Sequence, residues 1–217
     1  MEVPGRHEAA RRSYDAVAGA YADGFRDELA HKPLDRALLS SLVEQAGDGA
    51  PVADLGCGPG HVAGWLSRHG AAPVGVDLSD GMIAVARREH PEAEFRLGDL
   101  LALPARDGEF GAVVALYSVI HLGPGELPAA CAEMHRVLRP GGLALVSFHI
   151  GSEVRHFAEW WGHEVDLDFR FLETPEVAQV MEEAGLTVEA RLERTSYPGE
   201  VDIRRGYLLG RRGGGAR

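Results

Sequence analysis

The sequence has 217 residues, 45% of them hydrophobic and 25% charged, with a formal net charge of −11. That length suits one α/β domain with a sizeable core plus a small appendage. The acidic balance, with no basic stripe interleaved with aromatics, argues against nucleic acid as the main partner, because phosphate binding draws on Lys and Arg.

The basic pairs Arg204-Arg205 and Arg211-Arg212 read as a solvated final strand and tail. Cys57 and Cys131 give neither a disulfide framework nor a metal-ligand spacing. No apolar run is long enough to span a bilayer, and the N-terminus lacks a signal-peptide core, so the expected location is the cytoplasm. Lys32 is the only lysine.

Residues 1–46 read as two helices ahead of the core. The second starts at Pro33 and carries Leu34, Leu38, Leu39, Leu42 and Val43 at amphipathic spacing. Gly47-Asp48-Gly49-Ala50-Pro51 ends it. From Val52, short apolar runs alternate with helical stretches, the signature of a doubly wound parallel sheet. Strands are expected at 52–55, 73–76, 93–96, 110–116 and 143–148. The 110–116 run is apolar throughout, as in a strand covered on both faces. Ser79 is placed to cap a helix through Arg88, and another helix runs from about Gly125 to Leu138. The stretch 149–172 shows no clean periodicity and reads as a loop-like insertion. Thr174-Pro175 supplies a cap and a first-position proline for a helix to Ala184. Two long strands, 186–196 and 203–211, follow around the turn Tyr197-Pro198-Gly199, and 213–217 reads as a flexible tail.

The chemistry concentrates in Asp54-Leu55-Gly56-Cys57-Gly58-Pro59-Gly60, at the end of the first strand. Glycines at alternate positions let the backbone turn sharply and approach a ligand, and the amides of the next helix point at it. A dinucleotide fingerprint places a third glycine where this chain has His61. Asp54 at the strand end repels pyrophosphate but suits a ligand bearing an ammonium group. Asp77, ending the next strand, can accept hydrogen bonds from a ribose diol, and Asp99, past the third, is placed to meet an adenine amine. Each aspartate alone has a plainer reading as a turn or helix cap. Three ending successive strands of one sheet point to a nucleoside, because ligands in such folds sit outside those ends.

In combination these segments resemble a class I S-adenosylmethionine-dependent methyltransferase along essentially the whole chain. Val52 to Gly60 is similar to the family's first motif and Val76-Asp77-Leu78-Ser79 to its second. Gly98-Asp99-Leu100 is similar to the adenine-side motif, Phe110 to Ser118 to the fourth strand, and Arg136 to Gly142 to the turn into the fifth. The resemblance implies an α/β, doubly wound, seven-stranded sheet of order 3-2-1-4-5-7-6 with strand 7 antiparallel. It also implies a core over 47–212, an N-terminal helical lid over 1–46, and S-adenosylmethionine as cofactor. It places Asp54, Gly56, Cys57 and Gly58 at the methionine moiety and Asp77 at the ribose. Leu78 and Met82 fall against the adenosine, Asp99 and Leu100 at adenine, and Leu116, Tyr117 and Ser118 under the sulfonium. Tyr14 and Tyr21 belong to the lid.

Methyl transfer is an in-line displacement that needs alignment and exclusion of water more than a base. His121, just after the fourth strand, is the best base candidate by position; its plainer role is to hold a loop. The insertion brings His149, His156, Trp160 and Trp161 as candidate substrate contacts, with Phe169 and Phe171 nearby. Arg155 or Arg170 could pair with an acidic substrate. No histidine spacing in it fits a metal motif. The expected reaction is methyl transfer to an oxygen, nitrogen or carbon of a small molecule, by a monomer or homodimer. Transfer to a peptide or protein side chain, or cofactor binding without chemistry in a regulatory role, are the alternatives.

Overall fold

The computed structural model describes residues 5–214. The first four residues of the expected lid and residues 215–217 of the expected tail lie outside the described residues.

Helix α1 spans Arg6–Phe25, a 3-10 turn Glu28–His31, and helix α2 Pro33–Ala46 with its proline in the first turn. The core then alternates: β1 Pro51–Leu55, α3 His61–Arg68, β2 Ala72–Asp77, α4 Asp80–Glu89, β3 Glu94–Leu97 and β4 Phe110–Leu116. There follow α5 Leu127–Val137, β5 Leu138–His149, β6 Val154–Trp160, β7 His163–Arg170, α6 Thr174–Glu183, β8 Leu186–Arg194 and β9 Arg205–Arg212. The seven-stranded sheet has the order β3-β2-β1-β4-β5-β9-β8. Strands β1 to β5 are parallel, and β9 runs antiparallel to both β5 and β8. With β8 and β9 counted as strands 6 and 7, this is the expected topology.

Period-two alternation divides the core cleanly. Ala53, Leu55, Val113, Ala115, Ala144 and Val146 face one layer, where α5 and α6 contribute Met134, Val137, Val177 and Met181. Val52, Ala112, Val114, Leu143 and Leu145 face the other, against Leu39, Leu42 and Ala46 of α2 and Trp65 and Leu66 of α3. Both faces of β4 are therefore covered, which explains its unbroken apolar run. Ser79 caps α4, accepting from the Met82 amide at 3.0 Å.

Three expectations are corrected. The stretch 149–172 is not a loop: β6 and β7 form an antiparallel hairpin. In β7, Val165 and Leu167 are buried while Glu164 and Asp166 between and beside them are exposed, a period of two. The pattern is obscured in β6, where the register shifts between Phe157 and Glu159. The turn residues Trp161 (φ 50°) and Gly162 (φ 76°) are both left-handed, as a type I′ hairpin turn demands, and tryptophan is an unexpected occupant of that position. Thr174 is not the cap of α6, because the helix starts one residue earlier than expected: Glu173 holds the cap position, and Thr174 Oγ1 is buried without a partner. Arg205 is not a solvated tail residue but 5% exposed.

Candidate functional site

The carboxyl ends of β1, β2 and β4 open into one cavity of about 760 Å³, walled by α1, the β6–β7 hairpin and the loop between β8 and β9. The glycine loop is its floor. Gly56, Gly58 and Gly60 all have positive φ. A Cβ on Gly56 would stand 2.3 Å from Ser118 Cβ, so a side chain there collides with the segment after β4. The Gly56 and Cys57 amides both bond to the Val76 carbonyl, at 2.7 and 3.0 Å, tying the loop to the end of β2.

Asp54 is 2% exposed and its Oδ2 has no hydrogen-bond partner. Burial pushes its carboxyl up to about 7; His61 opposes the shift and Asp77 adds to it. Asp77 accepts from the Gly58 amide at 2.8 Å and the Ser79 amide at 2.9 Å, and burial raises its carboxyl despite those bonds. Asp99 accepts from the Leu101 amide at 2.9 Å and pairs with His7 of α1 at 2.8 Å, so it holds a turn and the start of the lid together. Asp15, between Tyr14 and Tyr21, accepts from Ser79 Oγ at 2.6 Å and the Gly81 amide at 2.9 Å, placing a carboxylate at the positive end of α4.

Above the floor lies an aromatic roof. Trp160 meets Tyr14 and Tyr21 edge-on, with centroids 6.3 and 5.6 Å apart. His121 is enclosed and bonded at both nitrogens. Nδ1 donates to the Asp168 carbonyl at 3.3 Å, so Nε2 carries the lone pair that accepts from the Tyr14 hydroxyl at 2.7 Å. Burial holds the imidazole down at about 4, neutral at pH 7.

The far end of the cavity carries charged residues that the sequence did not single out for the site. Lys32, 9% exposed, sits 2.5 Å from Glu28 and 4.6 Å from the centre of the Tyr117 ring. Glu28 also pairs with His61 at 3.0 Å; burial alone would raise its carboxyl, but these partners hold it at about 2. Arg194 clasps Glu200 at 2.6 and 3.0 Å, and Tyr207 links Tyr117, at 2.8 Å, to Asp35, at 3.0 Å. Tyr117 has φ 57°, a strained position for a bulky residue, held by its amide bond to the Ser147 carbonyl at 3.1 Å. Nothing in sequence reading signals such pairs, whose members lie far apart along the chain.

The buried polar atoms without partners converge here. Asp35 Oδ1, Asp54 Oδ2, His61 Nδ1, Ser118 Oγ, His149 Nδ1 and Arg205 Nε all belong to lining residues; among the described residues only Thr174 Oγ1 lies elsewhere. Buried polar groups are nearly always paired, so this concentration marks where a polar ligand belongs. All of the cofactor residues expected from the sequence line the cavity, as do His121, His149 and Trp160. His156 and Trp161 do not. His156 is turned outward to Asp168, 3.0 Å away, and Trp161 is 41% exposed and stacks on Trp160 at 4.6 Å. Arg155 also lines the cavity, 4.7 Å over the Phe171 ring and 2.5 Å from Glu153, whereas Arg170 does not line it and donates to the Leu122 carbonyl at 3.3 Å. Among the described residues there is no cluster of three or more potential metal ligands, and no helix is long and apolar enough to cross a membrane.

A methyltransferase domain family matches residues 52–142. The chain is 34% identical over 146 residues to a demethylmenaquinone methyltransferase of Beutenbergia cavernae, covering 67% of this chain and 57% of the relative. It is 29% identical over 148 residues to a malonyl-acyl-carrier-protein O-methyltransferase of Serratia marcescens, with the same coverage. The chain therefore spans little more than half the length of these curated relatives. A magnesium protoporphyrin IX methyltransferase from Synechocystis, solved with S-adenosylmethionine bound, superposes with a TM-score of 0.76 at 16% identity over 98% of this chain and 99% of that one. Sheet order, glycine loop and strand-end carboxylates define a Rossmann-like nucleoside-binding protein. Residues 52–142 match a methyltransferase domain, and the fold is that of the class I S-adenosylmethionine-dependent methyltransferases. The site fits that cofactor: Asp54 offers an unpaired buried acceptor to an ammonium, and the glycine loop leaves no Cβ in the way.

Proposed function

We propose that this chain transfers a methyl group from S-adenosylmethionine to an oxygen, nitrogen or carbon nucleophile of a small molecule held under the aromatic roof. The observation that carries this reading is the convergence of unpartnered buried polar atoms and aromatic rings on one cavity. When bound, the cofactor supplies an activated methyl group on a sulfonium leaving group. Asp54 accepts from the ammonium, Gly56, Cys57 and Gly58 flank the methionine chain, and Asp77 accepts from the ribose hydroxyls. Leu78, Met82, Asp99 and Leu100 surround the adenosine, while Leu116, Tyr117 and Ser118 lie beneath the reacting centre. Tyr14, Tyr21 and Trp160 exclude water from it, with residues 1–46 contributing the lid.

His121 acts in this scheme as a positioning residue: its only basic lone pair is covered by Tyr14, so it fastens the lid rather than taking a proton from the acceptor. Tyr14→Phe leaves His121 Nε2 unpaired and is expected to reduce kcat/KM by the equivalent of about 1–3 kcal/mol. Its pH profile should keep its shape. Loss of a limb of that profile would assign proton transfer to the pair instead. Asp77→Ala is expected to weaken S-adenosylhomocysteine binding by about 1–3 kcal/mol, the range for a charge-assisted hydrogen bond; calorimetry on a folded variant with unchanged affinity removes Asp77 from the site.

The reaction is tested by following S-adenosylhomocysteine formation over a broad panel of small hydroxyl, amine, carboxylate and activated-carbon nucleophiles. Turnover with at least one is expected. Cofactor binding with no turnover on any, but methylation of added peptides, contradicts the small-molecule reading.

A further inference from the structure

The acceptor end of the cavity contains a paired feature that the cofactor roles leave unused. His149 ends β5 and Arg205 begins β9, and the two are direct partners across the antiparallel ladder. Such partners project to the same face with Cβ atoms about 5 Å apart. Each has a buried nitrogen without a hydrogen bond, His149 Nδ1 and Arg205 Nε, and both residues line the cavity. Arg205 is 5% exposed, and its guanidinium is fixed by Nη1, which donates to the carbonyls of Val201 (3.1 Å) and Ile203. A buried guanidinium N–H left unpaired is costly, so the arrangement calls for an acceptor from outside the chain.

The neighbouring acidic groups do not supply one. Glu200 Oε2 forms an ion pair with Arg205 Nε at 3.5 Å but no hydrogen bond, being turned to Arg194 and the Tyr197 amide instead. Glu28 is engaged by Lys32 and His61, and Asp35 accepts from Tyr207 through Oδ2, its Oδ1 forming no hydrogen bond to Arg205 or any other group. Beside these charged groups, aromatic rings flank His149. The His149 ring lies between Tyr117 and Phe171, at centroid distances of 5.3 and 5.5 Å. Burial, then the charges of Arg205 and Lys32, keep His149 neutral by lowering it to about 4, so it meets a ligand as an uncharged ring.

We propose that Arg205 and His149 form the acceptor subsite for a carboxylate borne on a planar aromatic small molecule, with Tyr117 and Phe171 against its ring. This rests on the methyl-transfer reading. A guanidinium N–H and an imidazole N–H converge on the anionic oxygens, and the carboxylate fixes the acceptor relative to the glycine loop. Carboxylate chemistry has a second source here, the methionine end of the cofactor itself, and the experiment separates the two.

The protein saturated with S-adenosylhomocysteine is titrated with 2-naphthoate and with 2-naphthamide, its neutral isostere, by calorimetry. Naphthoate should bind at least about tenfold more tightly than the amide. Arg205→Gln should abolish that preference while leaving S-adenosylhomocysteine affinity within about twofold. His149→Phe, which keeps the ring and removes the nitrogens, should reduce the preference and serves if Arg205→Gln does not fold. Equal binding of acid and amide, or no naphthoate binding at millimolar concentration, overturns the subsite but leaves the cofactor site intact. A large loss of S-adenosylhomocysteine affinity in Arg205→Gln also overturns it, by assigning the pair to the cofactor's carboxylate. Failure of the wild-type protein to bind S-adenosylhomocysteine strikes the underlying reading instead.

Discussion

Asp54→Asn is expected to lower S-adenosylmethionine affinity by about 3–5 kcal/mol, the cost of leaving one member of a buried ion pair without its partner, which is roughly 10²–10⁴-fold in Kd. The free protein should respond in the opposite direction. The Asp54 carboxyl is held at about 7 when folded, against about 3.9 in an unfolded chain. The folded state therefore binds this proton more tightly, and between about pH 4 and pH 7 each rise in pH takes stability away. At about 1.4 kcal/mol per unit, the free protein at pH 8 carries a penalty of up to about 4 kcal/mol from this group, which asparagine removes. Thermal unfolding should show Asp54→Asn more stable than the parent at pH 8, with the gap closing towards pH 4. Cofactor binding has the converse dependence. An ammonium ligand selects ionised Asp54, so affinity should climb from pH 5 to about pH 7 and then level. A pH-independent affinity, or a variant no more stable at pH 8, would falsify this role for Asp54.

Gly56→Ala should be strongly damaging, because it combines left-handed backbone with a closed contact. The residue has φ 72°, and the added carbon would lie 2.3 Å from Ser118 Cβ. Left-handed backbone costs a non-glycine residue about 1–2 kcal/mol, and forcing a methyl into a closed contact adds about 1–3 kcal/mol. Expected consequences are a fall in Tm of several degrees or more and loss of cofactor binding, because relief of the collision moves either the loop or the segment after β4. A variant with unchanged Tm and unchanged affinity for S-adenosylhomocysteine would show that Gly56 and Ser118 are not packed as described.

Much of the glycine-loop end of the cavity is legible because it obeys local rules. Gly56, Gly58 and Gly60 announce a turn, and Asp54, Asp77 and Asp99 fall where apolar strands stop. The sheet was legible for the same reason: β4 is apolar throughout, and the strands beside it alternate with amphipathic helices. The β6–β7 hairpin was missed although Val165 and Leu167 alternate with acidic neighbours. The shift at Phe157–Glu159 breaks the companion strand's pattern, and the turn uses Trp161 where Asn or Asp is the usual signal. The charged far end of the cavity is illegible for a deeper reason. Lys32, Asp35, Arg194, Glu200 and Arg205 look like surface charges in isolation, and become a buried group only when α2 and the β8–β9 loop meet. The tie between Tyr14 and His121 likewise joins residues more than a hundred positions apart.

Calorimetric titration of the full chain with S-adenosylmethionine, S-adenosylhomocysteine and NAD tests the central claim, a sulfonium-nucleoside site on the Asp54–Gly60 loop, most directly. Both adenosyl ligands should bind one per chain and NAD should not. Binding of NAD with no binding of either adenosyl ligand would contradict the account.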